Sequence, residues 1–184
     1  MKVLNWDNPK PHFKWPVAVA QAIEAPAEEV WAAISSPGNL ERCHPFCAAN
    51  PVHQWPGEQS RDEVHYLNGR VFERRFCRWI DQIGYDLEIG SKGRKTSFVS
   101  WRIRSVSEQS SILRIAVYPY PLQNLPVVLR WLPHHLRLKP LLSDYLSSVL
   151  RGFEYYLVHG EPVPRDHFGK HPWFSKFGCS GYGK

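Results

Sequence analysis

Along residues 140–159 the apolar positions Leu142, Leu146, Val149, Phe153 and Tyr156 recur at spacings of four and three, and Tyr145, Leu150 and Leu157 widen the stripe. Asp144, Ser147, Ser148, Arg151, Glu154 and Tyr155 occupy the other side. A helix that rests one face on a core requires this division. Pro140 suits a first helical turn, and Gly160 followed by Pro162 is a stop signal. The pattern therefore predicts a helix over 140–159, roughly 30 Å long. No other stretch supports a helix of that length. Elsewhere the apolar periodicity is mostly that of strands, which predicts a sheet wrapped around this rod.

Val17 to Glu24 alternates like a strand, and Pro26 with Glu28 and Glu29 then opens a helix whose apolar side is Val30, Trp31 and Ile34. Ser35 to Gly38 ends it, and a second short helix over 39–43 leads into His44-Pro45-Phe46. From Ala48 to Tyr120 strands alternate with turns. A two-residue turn at Asn68-Gly69 would pair Leu67 with Arg70, His65 with Phe72 and Glu63 with Arg74. Phe72, Phe76, Ile80, Tyr85, Leu87 and Ile89 then share a predicted core face. Val64, Tyr66, Val71, Cys77 and Trp79 fall on the opposite face, so that face is not wholly polar, and the parity could be inverted. Gly90 to Gly93 reads as another hairpin loop. Val99, Trp101 and Ile103 face Leu113, Ile115 and Val117 only if the connection around Ser107–Ser110 has odd length. Leu125, Val128, Leu129 and Leu132 suggest a short helix broken at Pro133.

Three units follow: a proline-rich leader over 1–16, a folded domain over 17–160, and an aromatic, basic tail over 161–184. Phe168, Trp173, Phe174 and Phe177 imply that the tail rests partly on the body. At 184 residues the chain fits one domain. The net charge of +6 comes from scattered Lys and Arg, without a basic run, so no nucleic-acid partner is expected. The absence of an apolar run of spanning length excludes stable membrane insertion, although Arg130 and Trp131 allow peripheral contact as an alternative to a plain connecting helix. The four cysteines lack C-x-x-C spacing, and residues 1–15 lack an apolar signal segment, which fits a cytoplasmic protein.

The wording IEAPAEEVWAAISSPGNLERCHPF at 23–46, with the element order strand, two short helices, strands and a long final helix, resembles the SRPBCC superfamily. Its members include START lipid-binding domains, plant pathogenesis-related allergens and polyketide cyclase/dehydratase-like proteins. Ile23, Ala25, Pro26, Glu28, Val30 and Trp31 carry the more specific part of the match. The resemblance covers 17–160 and implies an α+β helix-grip fold: a curved antiparallel sheet of about seven strands around a long C-terminal helix. It also implies a cavity between them for an apolar small molecule or lipid, without a cofactor. A polyketide cyclase/aromatase-like enzyme, and a protein with a filled cavity that binds a partner, are the alternatives.

Three residues are catalytic candidates. Glu63, His65 and Arg74 would form a polar group beside Phe72 and Phe76, either orienting or polarising a ligand carbonyl, or serving only as a partly solvated cross-strand ion pair. Expected ligand contacts are His44, Phe46, His65, Phe72, Arg74, Phe76, Tyr85, Trp101, Ile115, Leu146, Val149 and Phe153. Cys43, His44 and Cys47 have an unusual spacing for a metal site, and no metal is expected. Nucleophile-elbow and phosphate-loop patterns are absent.

Overall fold

A computed structural model describes residues 15–120 and 133–177. The expected helix over 125–132, most of the leader and the last seven residues of the tail lie outside the described residues. Strand β1 (Val17–Ile23) leads to helix α1 (Ala27–Ser35) and the one-turn α2 (Leu40–Cys43). Seven strands follow: β2 (Cys47–Ala49), β3 (Val52–Gln54), β4 (Arg61–Tyr66), β5 (Val71–Ile80), β6 (Gly84–Gly90), β7 (Ser97–Ser107) and β8 (Ser110–Tyr118). They form one antiparallel sheet in the order β1-β8-β7-β6-β5-β4-β2, with β3 also paired to β4. A π-helical turn (His134–Leu138) runs into helix α3 (Lys139–His159).

Helix α3 has Pro140 in its first turn and ends where Gly160 adopts φ 71°, its N–H donating to the Tyr156 carbonyl at 2.8 Å. It buries Leu142, Leu146, Val149, Leu150 and Phe153 and packs on β1, β8, α1 and α2. At Gly152 the helix meets the α2 end so closely that an added Cβ would lie 2.1 Å from the Cys43 carbonyl oxygen. Only a residue without a side chain permits this backbone contact.

Two local features move side chains relative to the sequence expectation. Between β4 and β5 the connection holds three residues, not two: Tyr66 N–H donates to Arg70 O (2.8 Å), Gly69 N–H donates to Tyr66 O (2.9 Å), and Gly69 sits at φ 83°. A type I turn closed by a left-handed glycine accounts for the extra residue. Val64 therefore pairs with Phe72 and Asp62 with Arg74, and the one-residue slip turns Asp62, Val64 and Tyr66 inward. Glu63 and His65 are on the other face. Farther along β5 the register shifts between Phe76 and Arg78. This bulge brings Trp79, rather than Ile80, into contact with the core.

The β7–β8 pairing matches expectation, with Val99, Trp101 and Ile103 opposite Val117, Ile115 and Leu113. The turn is tight, since Ser107 pairs with Ser110, but a shift between Ser105 and Ser107 restores the parity an odd loop would have given.

The segment after α3 folds back over the body. Val163 N–H donates to Arg42 O (2.8 Å), Asp166 N–H to Pro45 O (2.9 Å), and Asn68 N–H to Phe174 O (3.2 Å). Val163 and Phe174 are buried.

Replacing Gly152 with Ala forces α3 off the α2 carbonyl, and the expected loss is about 1–3 kcal/mol, as for overpacked cores. Urea unfolding of G152A checks this; an unchanged midpoint would show that the two backbones are not in contact.

Candidate functional site

A single helix does not fill a concave sheet this wide, and a cavity of about 470 Å³ remains between them. Helix α3 contributes Leu142, Tyr145, Leu146 and Val149, which its three- and four-residue spacing places on one side. From the sheet come Val64, Tyr66, Phe72 and Arg74 on β4 and β5, Leu87 and Ile89 on β6, Val99 and Trp101 on β7, and Ile115 and Val117 on β8. Period-two alternation aims each of these at the same space. Leu40 and His44 close the side under α2, while Trp173 and Phe174 cover another part of the wall. Phe174 stacks on Tyr66 with ring centroids 4.2 Å apart.

Two polar groups interrupt the apolar wall. Arg74 donates from Nε to Asp62 Oδ1 at 2.6 Å and from its terminal nitrogen to Oδ2, and neither residue is more than 3% exposed. Burial works against the charged guanidinium, but the Asp62 carboxylate outweighs it and raises the Arg74 pKa. The pair is thus ionised and self-neutralising inside the core.

The second group is a chain through His44, Tyr145 and Tyr66. Phe46 N–H donates to His44 Nδ1 (3.1 Å), which leaves the ring proton on Nε2, 2.9 Å from the Tyr145 hydroxyl. Tyr145 and Tyr66 hydroxyls are 3.1 Å apart. Three donors share two hydrogen bonds along this chain, so one phenolic O–H is not used within it. Burial, reinforced by the Arg74 charge, lowers the His44 pKa to about 3, and burial raises those of Tyr66 and Tyr145. All three are neutral at physiological pH.

No protein-family model matches the sequence, and no curated protein does either. Solved structures do match in fold. DynU16, a protein of the dynemicin biosynthetic locus, aligns over 82% of this chain at TM-score 0.59 and 17% identity, and the chain spans 50% of its length. A START superfamily protein from Mycobacterium smegmatis aligns over 78% of this chain and 97% of its own, at TM-score 0.57 and 14% identity. Ara h 8.0201 gives the same coverage and TM-score at 10% identity. The architecture these structures share with the chain is the helix-grip fold.

In this helix-grip cavity the structure brings together His44, Phe72, Arg74, Trp101, Ile115, Leu146 and Val149 of the expected contacts. Phe46, Phe76, Tyr85 and Phe153 are buried but belong to the packing around the cavity rather than its wall. Phe153 meets Trp101 at 5.3 Å, and Tyr85 donates to Ile34 O at 3.3 Å. Glu63 and His65 form an outer-face hydrogen bond (2.8 Å) that His53 approaches at 3.4 Å. The expected cluster with Arg74 does not exist, because the three-residue turn gives Arg74 to Asp62 instead.

Asp62, Tyr66 and Tyr145 were missed. Val64 and Tyr66 are the large apolar residues of β4, and weighting their burial above the turn signal would have corrected the register. Cys43 and Cys47 are buried, and burial pushes both thiols up to about 12. Among the described residues no three His, Cys, Asp or Glu side chains gather at metal-binding distance.

Asp62→Ala leaves Arg74 buried and unpaired and is expected to lose about 3–5 kcal/mol, against less than about 0.5 kcal/mol for the partly exposed Glu63→Ala. Denaturant midpoints of the two variants check the register directly. His44 adds a pH dependence. Its folded pKa of about 3 lies below the unfolded value near 6.5, so the unfolded chain takes up the proton first. Stability from this group is complete above pH 6.5 and falls by up to about 1.4 kcal/mol per pH unit as pH drops toward 3. A His44→Gln variant should show a flatter stability profile between pH 6 and 4, and a parallel profile would refute the assignment.

Proposed function

We propose that the protein binds an apolar small molecule or lipid in the hollow between the sheet and α3. The observation that carries this is the hollow itself: about 470 Å³ of space lined mostly by aliphatic and aromatic side chains. That volume falls within the range of small-molecule sites. Close-packed interiors do not keep such voids, since their lining atoms forgo dispersion contacts.

Binding fits the chemistry of the wall better than cyclisation does. An acid–base enzyme needs a group that titrates near the working pH. His44 is held near 3, both tyrosines are held protonated, and Arg74 is committed to Asp62. His65, one of the polar groups the enzyme alternative relied on, is outside the cavity. The remaining phenolic O–H suits orientation of a ligand carbonyl or hydroxyl by one hydrogen bond. The fold alone does not decide between these functions, because helix-grip architecture is a scaffold and the site sets the activity.

Val149→Phe places a larger ring in the hollow. Nile red, a neutral apolar dye, is expected to fluoresce with the wild-type protein and to lose most of that signal with V149F, while the melting temperature stays within a few degrees. Native mass spectrometry of gently purified protein should show a co-purified apolar adduct. A wild-type protein that carries no adduct and does not bind the dye would remove the proposal.

A further inference from the structure

Every charged residue that lines the cavity is cationic. Arg70, Arg74, Arg94 and Lys95 contribute to the wall and rim, and no carboxylate does so among the described residues. Arg74 is neutralised by Asp62 behind it. The other three are solvent-exposed and come from two separate turns. Arg70 follows the β4–β5 turn, and Arg94 and Lys95 lie in the β6–β7 connection. In an antiparallel meander alternate turns lie at the same end of the sheet, so both turns crown one mouth. Ser91 and Tyr120 line the cavity as well. The interior is thus apolar and electrically balanced, and positive charge is concentrated where it opens.

We infer that the ligand is an anionic amphiphile, with its apolar part in the hollow and a carboxylate or similar head group held by Arg70 and Arg94 at the mouth. This rests on the ligand-binding proposal above. A long-chain fatty acid has the required chemistry: a flexible apolar chain for the aliphatic and aromatic wall, and a single anionic end that stays partly hydrated. Head-group contacts at such an exposed rim are individually weak and sensitive to salt. Together they discriminate acid from alcohol more than they drive binding.

Displacement of Nile red from the full chain by oleate and by oleyl alcohol tests this. Oleate is expected to compete roughly tenfold better than the alcohol at low ionic strength. The gap should shrink as sodium chloride is added, and should close in the double variant Arg70→Ala, Arg94→Ala, which leaves competition by the alcohol unchanged. Equal competition by acid and alcohol would overturn the inference while leaving the apolar site standing. Loss of the gap in Tyr66→Phe, with the arginine variant unaffected, would overturn it too and move the head group to the inner hydroxyls. Failure of Nile red to bind at all would remove the apolar site, and this inference with it.

Discussion

The seating of α3 on α2 is the constraint from which the rest follows. Gly152 brings the helix backbone against the Cys43 carbonyl, and the neighbouring turns bury Leu150 and Phe153 completely. The helix is thereby held against β1, β8 and the short helices. The sheet continues through β7, β6, β5 and β4; α1 meets Trp79 and Tyr85 there, while Phe72, Leu87, Ile89 and Val99 face the hollow. A hollow is the geometric consequence of one rod fixed toward one side of a wide, curved sheet. Its size depends on Leu146 and Val149 on the rod and on Trp101, Leu87 and Phe72 across from them.

Polar groups within such a wall persist only if their hydrogen-bonding capacity is nearly met. Asp62 and Arg74 achieve this as a two-point ion pair. His44 achieves it by accepting a backbone N–H on one ring nitrogen and donating from the other. This arrangement fixes the tautomer, so the Tyr145 oxygen accepts from His44 while either phenol can donate to the other. The same satisfaction makes these groups poor proton carriers, since burial holds His44, Tyr66 and Tyr145 in their neutral forms and Arg74 stays committed to Asp62.

The C-terminal segment completes the enclosure. Trp173 and Phe174 form part of the cavity wall, and His171 anchors them through the Leu141 carbonyl (3.0 Å) and through Ser175, whose hydroxyl accepts from the His171 N–H at 2.7 Å. Asn68, at the β4–β5 turn, donates its side-chain amide to Trp173 O at 2.6 Å. The turn that sets the register of β4 is therefore also the point where this segment is fastened.

The sequence by itself determined the elements whose signals are local. The stripe of α3, its proline start and glycine stop, the proline-opened α1 and the paired alternation of β7 and β8 each follow from side-chain periodicity within one or two segments. The site depended on longer-range events. The choice between a two- and a three-residue turn at Asn68-Gly69 reversed the faces of β4, and a bulge at Cys77 exchanged Ile80 for Trp79. Both carry a small local signal and a large effect, because a strand has period two and one added residue moves every side chain to the other face. Which acid meets Arg74, and which histidine lies inside, were decided only when the strands paired and the helix settled over them.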